Sequence, residues 1–80
     1  MRLDKFLKVS RLVKRRSVAN EICDKGRVEL NGRVAKASAT LKVGDHLTIH
    51  FGTGSTEVEI LSIQETVRKE EASDLYRVLG

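Results

Sequence analysis

Proline and tryptophan are absent from this 80-residue chain, and cysteine occurs once. A single cysteine rules out an internal disulfide framework and a cysteine-based zinc module, and it suits a reducing compartment. Aromatic residues make up 4% of the chain (Phe6, Phe51 and Tyr76), too few to build the base-stacking platform of an RRM-type sheet. No apolar run approaches the roughly 18 residues of a membrane helix, and the basic start is not followed by an apolar signal core. A soluble cytoplasmic protein with no membrane partner is the expectation. No linker, internal repeat or low-complexity tract is visible. A chain of this size makes one small domain that buries roughly 60% of its unfolded surface, too little for a multi-domain enzyme.

Catalytic constellations are missing as well. There is no Ser/His/Asp set, no Gly-rich phosphate loop and no carboxylate pair at a useful spacing. His46 and His50 fall on one predicted strand, about 13 Å apart at a rise of about 3.3 Å per residue, too far to share a metal. Cys23 falls on an apolar helical stripe and reads as core. Neither catalysis nor a metal nor a cofactor is expected.

What the chain does have is charge, unevenly placed. Its net charge of +4 comes from 15 Lys/Arg against 11 Asp/Glu. Residues 1–42 hold twelve bases and four acids (12 − 4 = +8), whereas residues 43–80 hold three and seven (3 − 7 = −4). A half-chain at +8 is the electrostatic footprint of a polyanion-binding surface. The 40% hydrophobic content supplies a core beneath it.

Leu3, Phe6 and Leu7 recur at i, i+3, i+4 and predict a short first helix that ends or bends near Ser10-Arg11. Lys14-Arg15-Arg16 forms a compact basic cluster, and Ser17 is the expected N-cap of a second helix. Val18, Ala19, Ile22 and Cys23 supply that helix's buried stripe, and Gly26 its left-handed C′ residue. Asn31-Gly32 between Val28-Glu29-Leu30 and Arg33-Val34-Ala35 predicts a type I′ hairpin with a short ladder. Leu41 to Asp45 reads as a turn into a strand, His46–Phe51, whose Leu47, Ile49 and Phe51 face inward. The returning strand is expected over Thr56–Ile63, with a bulge or an end near Ile60-Leu61. The tail from Lys69 to Leu79 reads as a short helix or a frayed end. The expected fold class is α+β: two short helices on a small, mainly antiparallel sheet, with a short C-terminal helix.

The order helix, basic turn, Arg16-Ser17-Val18-Ala19, then Gly26-x-Val28-x-Leu30-Asn31-Gly32 and Lys42-Val43-Gly44-Asp45 resembles the S-four RNA-binding domain and its "alpha-L" motif. The likeness covers about residues 2–51. Arg2-Leu3-Asp4-Lys5-Phe6-Leu7 is similar to the opening of stand-alone members. The resemblance implies an RNA-binding domain over residues 1–64, followed by a C-terminal tail over 65–80. It further implies docking on the rRNA of the large ribosomal subunit, with peptidyl-tRNA beside it, in quality control of stalled nascent chains. Template-free tail elongation would follow, with a tail-adding quality-control protein as partner and this chain a monomer. Two alternatives remain: a heat-shock-type factor that recycles free large subunits with trapped chains, and a protein-interaction adaptor using the acidic C-terminal half. Where many members carry further arginines along the second helix, this chain has Asn20, Glu21 and Asp24. Weight therefore shifts to that helix's N-terminal end.

The expected RNA-binding residues are Arg2, Lys5, Lys8 and Arg11 along the first helix and the basic cluster Lys14, Arg15 and Arg16. Ser17, Arg33 and Lys36 complete the set. Arg16 leads it, because it matches the family's arginine before the serine and its planar fork can hold a phosphate bidentately. Asp4 is read first as an intrahelical partner of Lys8, and second as a residue that orients Arg2 or Arg16. With no long recognition helix for a major groove, the expected target is the backbone shape of folded RNA.

Overall fold

The computed structural model describes residues 1–80. Helices α1 (Leu3–Val9) and α2 (Arg16–Asp24) come first, then strands β1 (Val28–Leu30), β2 (Arg33–Val34), β3 (His46–Phe51) and β4 (Gly54–Ile60). A 3-10 helix (Lys69–Leu75) leads into the last strand, β5 (Tyr76–Val78). The strands form one sheet in the order β2-β1-β3-β4-β5, antiparallel throughout. Cross-strand partners keep one side apolar: Val28 opposes Ile49, and Leu47 opposes Val58. The same pairing sends Glu29, Thr48 and Glu57 to the other side, so period-2 alternation gives a single buried face. Leu3, Phe6 and Leu7 of α1 and Ala19 and Cys23 of α2 cover that face. Each fully buried Leu or Phe contributes about 1.5–3 kcal/mol.

Both helices end in left-handed C′ residues. At α2, Gly26 (φ 73°) donates to the Cys23 carbonyl at 3.0 Å, and Arg27 donates to the Ile22 carbonyl at 3.0 Å, completing a Schellman motif. The type I′ hairpin is formed as its sequence predicts, with Asn31 at φ 53° and Gly32 at φ 84°. Asn31 also ties two motifs together. Its side-chain amide donates to Asp45 Oδ1 at 3.2 Å, and its Oδ1 accepts from the His46 N–H at 2.9 Å. Buried Asp45 in turn accepts from the Lys42 N–H at 3.0 Å, so the hairpin turn and the Lys42–Asp45 turn are one clamp.

Several expectations are corrected. Helix α2 starts at Arg16 with Arg15 as N-cap, so Ser17 lies inside the first turn and makes no cap. Arg16 and Asn20, one turn apart, both donate to Asp4, which fixes the helical path from Arg16 onward. Val18 is 40% exposed, because Ala19 and Cys23 take the core-facing positions. Phe51 is 46% exposed at the end of β3, opposite Gly54, which offers no side chain to pack on. Strand β4 starts two residues early, at Gly54, while its end at Ile60 is the strand end expected near Ile60-Leu61, with Leu61 exposed.

The tail is helical only to Leu75. Tyr76–Val78 then pairs with β4 and satisfies the backbone groups that an unpaired β4 edge would leave open. Leu75 is fully buried, whereas Leu79 is exposed. Replacing Asp45 with alanine leaves the Asn31 amide and the Lys42 N–H without their acceptor. A loss of about 1–3 kcal/mol is expected in urea unfolding, seen as a lower midpoint at an unchanged slope.

Candidate nucleic-acid interface

The N-terminus of α1 is closed by backbone. Leu3 and Asp4 donate to the carbonyls of Ala39 and Ala37 at 2.8 and 3.1 Å, and Leu41 donates to Met1 at 2.9 Å. Arg2 and Thr40 form a bridge, so the residues that follow the hairpin are zipped to the chain start. The N-terminus of α2 differs. The N–H groups of Arg16, Ser17 and Val18 have no acceptor in the protein, leaving the positive helix end open beside Lys14, Arg15 and Arg16.

Asp4 joins the two helices. Its side chain is 1% exposed and accepts from both arginines: Arg2 Nε and Nη2 at 3.2 and 3.3 Å, Arg16 Nε and Nη2 at 3.2 and 3.4 Å. Asn20 Nδ2 and the Lys5 N–H complete its shell at 2.7 and 2.8 Å. The pairing with Lys8 is therefore replaced by the orienting role. Each guanidinium spends one edge on the carboxylate and stays about half exposed (52% for Arg2, 47% for Arg16). Two positive charges share one negative, so the cluster keeps a net positive charge and free N–H donors at the surface.

Burial pushes the Asp4 carboxyl upward, but hydrogen bonds from Arg16, Arg2 and Asn20 and the charge of Arg16 outweigh it. Its pKa falls from 3.8 to about 2. Cys23, by contrast, is pushed up to about 11 by burial and by the charges of Asp4 and Asp24, which keeps it a neutral thiol at physiological pH.

An open groove of about 520 Å³ lies beside this cluster, and Arg2, Asn20, Cys23 and Lys36 are among its lining residues. Arg2 and Arg16 thus meet through Asp4 at the α1–α2 junction, with Ser17 exposed next to Arg16 in the first turn of α2 and Lys36 on the groove. Lys14 and Arg15 stand exposed in the turn before α2, and Arg33 is exposed on β2. Lys8 and Arg11 line a separate cleft at the far end of α1. Lys5 is half-buried and engaged by Glu65.

Sequence reasoning missed Asn20 and Glu65. The i, i+4 spacing of Arg16 and Asn20 on one helix face was the available signal for Asn20. Glu65 lies sixty positions from Lys5 and carries no local signal.

Two short helices joined by a basic turn on a one-sided sheet, with arginines held by a buried acid, have the chemistry of a polyanion-binding module. The family model of the S4 domain matches residues 1–47, and the chain belongs to that family. It is 62% identical over 78 residues to the RQC P-site tRNA stabilizing factor of Halalkalibacterium halodurans, covering 98% of this chain and 89% of that one. The protein of the same name from Bacillus subtilis is 52% identical over 79 residues, covering 99% and 92%. Among solved structures, the trimeric Heat Shock Protein 15 of Vibrio cholerae matches with a TM-score of 0.91 at 35% identity. That match covers 99% of this chain and 81% of the other. The α+β fold expected from the sequence is therefore also that of a structural relative. No helix is long and apolar enough to cross a membrane.

The lowered pKa of Asp4 makes stability pH-dependent in a stated direction. Its contribution, about 2 kcal/mol, is full above about pH 4 and is lost as pH falls toward 2. In acid titrations of unfolding free energy, Asp4→Asn is expected to start less stable and to lack this step.

Proposed function

We propose that this chain is a non-enzymatic, cytoplasmic RNA-binding factor of the large ribosomal subunit. Its basic face contacts rRNA and peptidyl-tRNA in the quality control of stalled nascent chains, and it supports template-free tail elongation as a monomer beside a tail-adding protein. The carrying observation is the Asp4-organised pair Arg2 and Arg16 beside the open N-terminus of α2. The names borne by the 62% and 52% identical relatives support the quality-control assignment.

In this reading, phosphate meets the free edges of Arg2 and Arg16 and the amides around Ser17, while Lys14, Arg15 and Lys36 add positive field. Lys5, Lys8, Arg11 and Arg33 widen the footprint. Residues 1–64 carry the RNA-binding unit, and residues 65–80 form the segment whose last strand closes the sheet edge. The close likeness to Heat Shock Protein 15 supports a second reading, recycling of free large subunits.

Arg16→Ala and Arg2→Ala are each expected to weaken cosedimentation with large subunits about tenfold, a loss of about 1.4 kcal/mol. The salt dependence of affinity should be steep in the wild type and shallower by about one unit per lost contact. Undiminished cosedimentation of Arg16→Ala would refute the site. Peptidyl-tRNA and a tail-adding protein in complexes isolated from cells would support quality control, and free subunits alone would support recycling.

A further inference from the structure

Helices α1 and α2 end in the same way but with different residues. At α2 the left-handed position is Gly26. At α1 it is Arg11, with φ 61°, whose N–H donates to the Lys8 carbonyl at 3.1 Å just as that of Gly26 donates to Cys23. A side chain in this conformation costs energy that glycine would not, since Cβ crowds the backbone. Ser10 braces the turn: it is buried, its hydroxyl donates to the Leu7 carbonyl, and its Oγ accepts from the Leu12 N–H. An arginine is thus held where the fold itself would favour glycine. Strain of this kind points to a use for the side chain.

Arg11 lines a cleft of about 160 Å³ with Lys8, Val9, Glu65, Thr66 and Val67. Two of these residues, Lys8 and Arg11, are cations, Thr66 carries a hydroxyl, and the N–H groups of Thr66 and Val67 have no acceptor in the protein. Its one acid, Glu65, pairs with Lys5 on the neighbouring turn of α1.

We infer that this cleft is a second phosphate site, in which Lys8, Arg11 and Thr66 hold a backbone phosphate of bound RNA. The inference rests on the RNA-binding reading and extends it. Helix α1 is about 10 Å long at about 1.5 Å per residue, so the cleft and the Arg2–Arg16 pair at its other end address different phosphates. Helix α1 becomes a bar across an RNA strand, gripped at both ends.

The test uses the full chain as Arg11→Gly and Arg11→Ala, with isolated large ribosomal subunits and, separately, inorganic phosphate. Arg11→Gly should melt no lower than the wild type and about 4–8 °C above Arg11→Ala, because glycine relieves the backbone. It should nevertheless bind large subunits about 5- to 10-fold more weakly, with a salt slope shallower by about one. Inorganic phosphate should shift the Thr66 and Val67 amide resonances in the wild type and not in Arg11→Gly.

Unchanged subunit affinity in Arg11→Gly would overturn the inference, even if free phosphate moved those amides, since the cleft would then serve a small anion. A melting point below wild type would also overturn it, by showing that the arginine supports the fold. If Arg16→Ala weakens binding while Arg11→Gly does not, only the second site fails. If both bind like the wild type, the assignment of the binding surface to the Arg2–Arg16 junction fails with it.

Discussion

The carboxylate of Asp4 is taken out of water at the junction of α1 and α2, where an unpaired charge would be prohibitive. Two arginines, an asparagine and a backbone amide surround it, and this shell dictates much else. It starts α2 at Arg16 and sets the approach of the two helices. It also holds two otherwise flexible guanidiniums in fixed directions before any ligand arrives. Ordering such side chains ahead of binding lowers the entropic cost of gripping a phosphate. One acid in a basic half-chain thus organises the cations around it.

The two halves of the chain divide the work. The first forty-two residues, with their net +8, build both helices and the hairpin. The acidic second half builds most of the sheet, sends Glu57 and Glu59 to its helix-free side and returns Glu65 to Lys5. Acidic side chains thereby gather on the sheet face away from the helices, with Arg77 paired to Glu59 among them. The final strand completes the platform by covering the open edge of β4.

Much of this is legible in the sequence, where a signal is local. Asn31-Gly32 can satisfy a type I′ turn, Gly26 can take a left-handed φ, and Leu47 and Ile49 alternate with polar neighbours. The basic turn and Arg16 stand out by charge alone. Features that depend on distant residues are not legible. Ser17 has the chemistry of a cap, but Asp4, thirteen positions earlier, pulls Arg16 into the helix and moves the boundary. Phe51 continues a clean alternation yet sits where β3 meets a glycine. Tyr76–Val78 reads as helix or frayed end because nothing local reveals the vacant edge of β4. Asp4 itself has two plausible roles, pairing with Lys8 or orienting Arg2 or Arg16, and only the packing of α2 on α1 chooses between them.

The affinity of Asp4→Asn for isolated large ribosomal subunits tests the central claim most directly. The substitution raises the net charge by one, so charge alone calls for tighter binding to a polyanion. If Asp4 acts by presetting Arg2 and Arg16, binding should instead weaken about 5- to 10-fold, about 1 kcal/mol or slightly more. Adding Arg16→Ala should then cost much less than it does in the wild-type background, because the two residues act as a unit. Equal or tighter binding by Asp4→Asn would contradict the account.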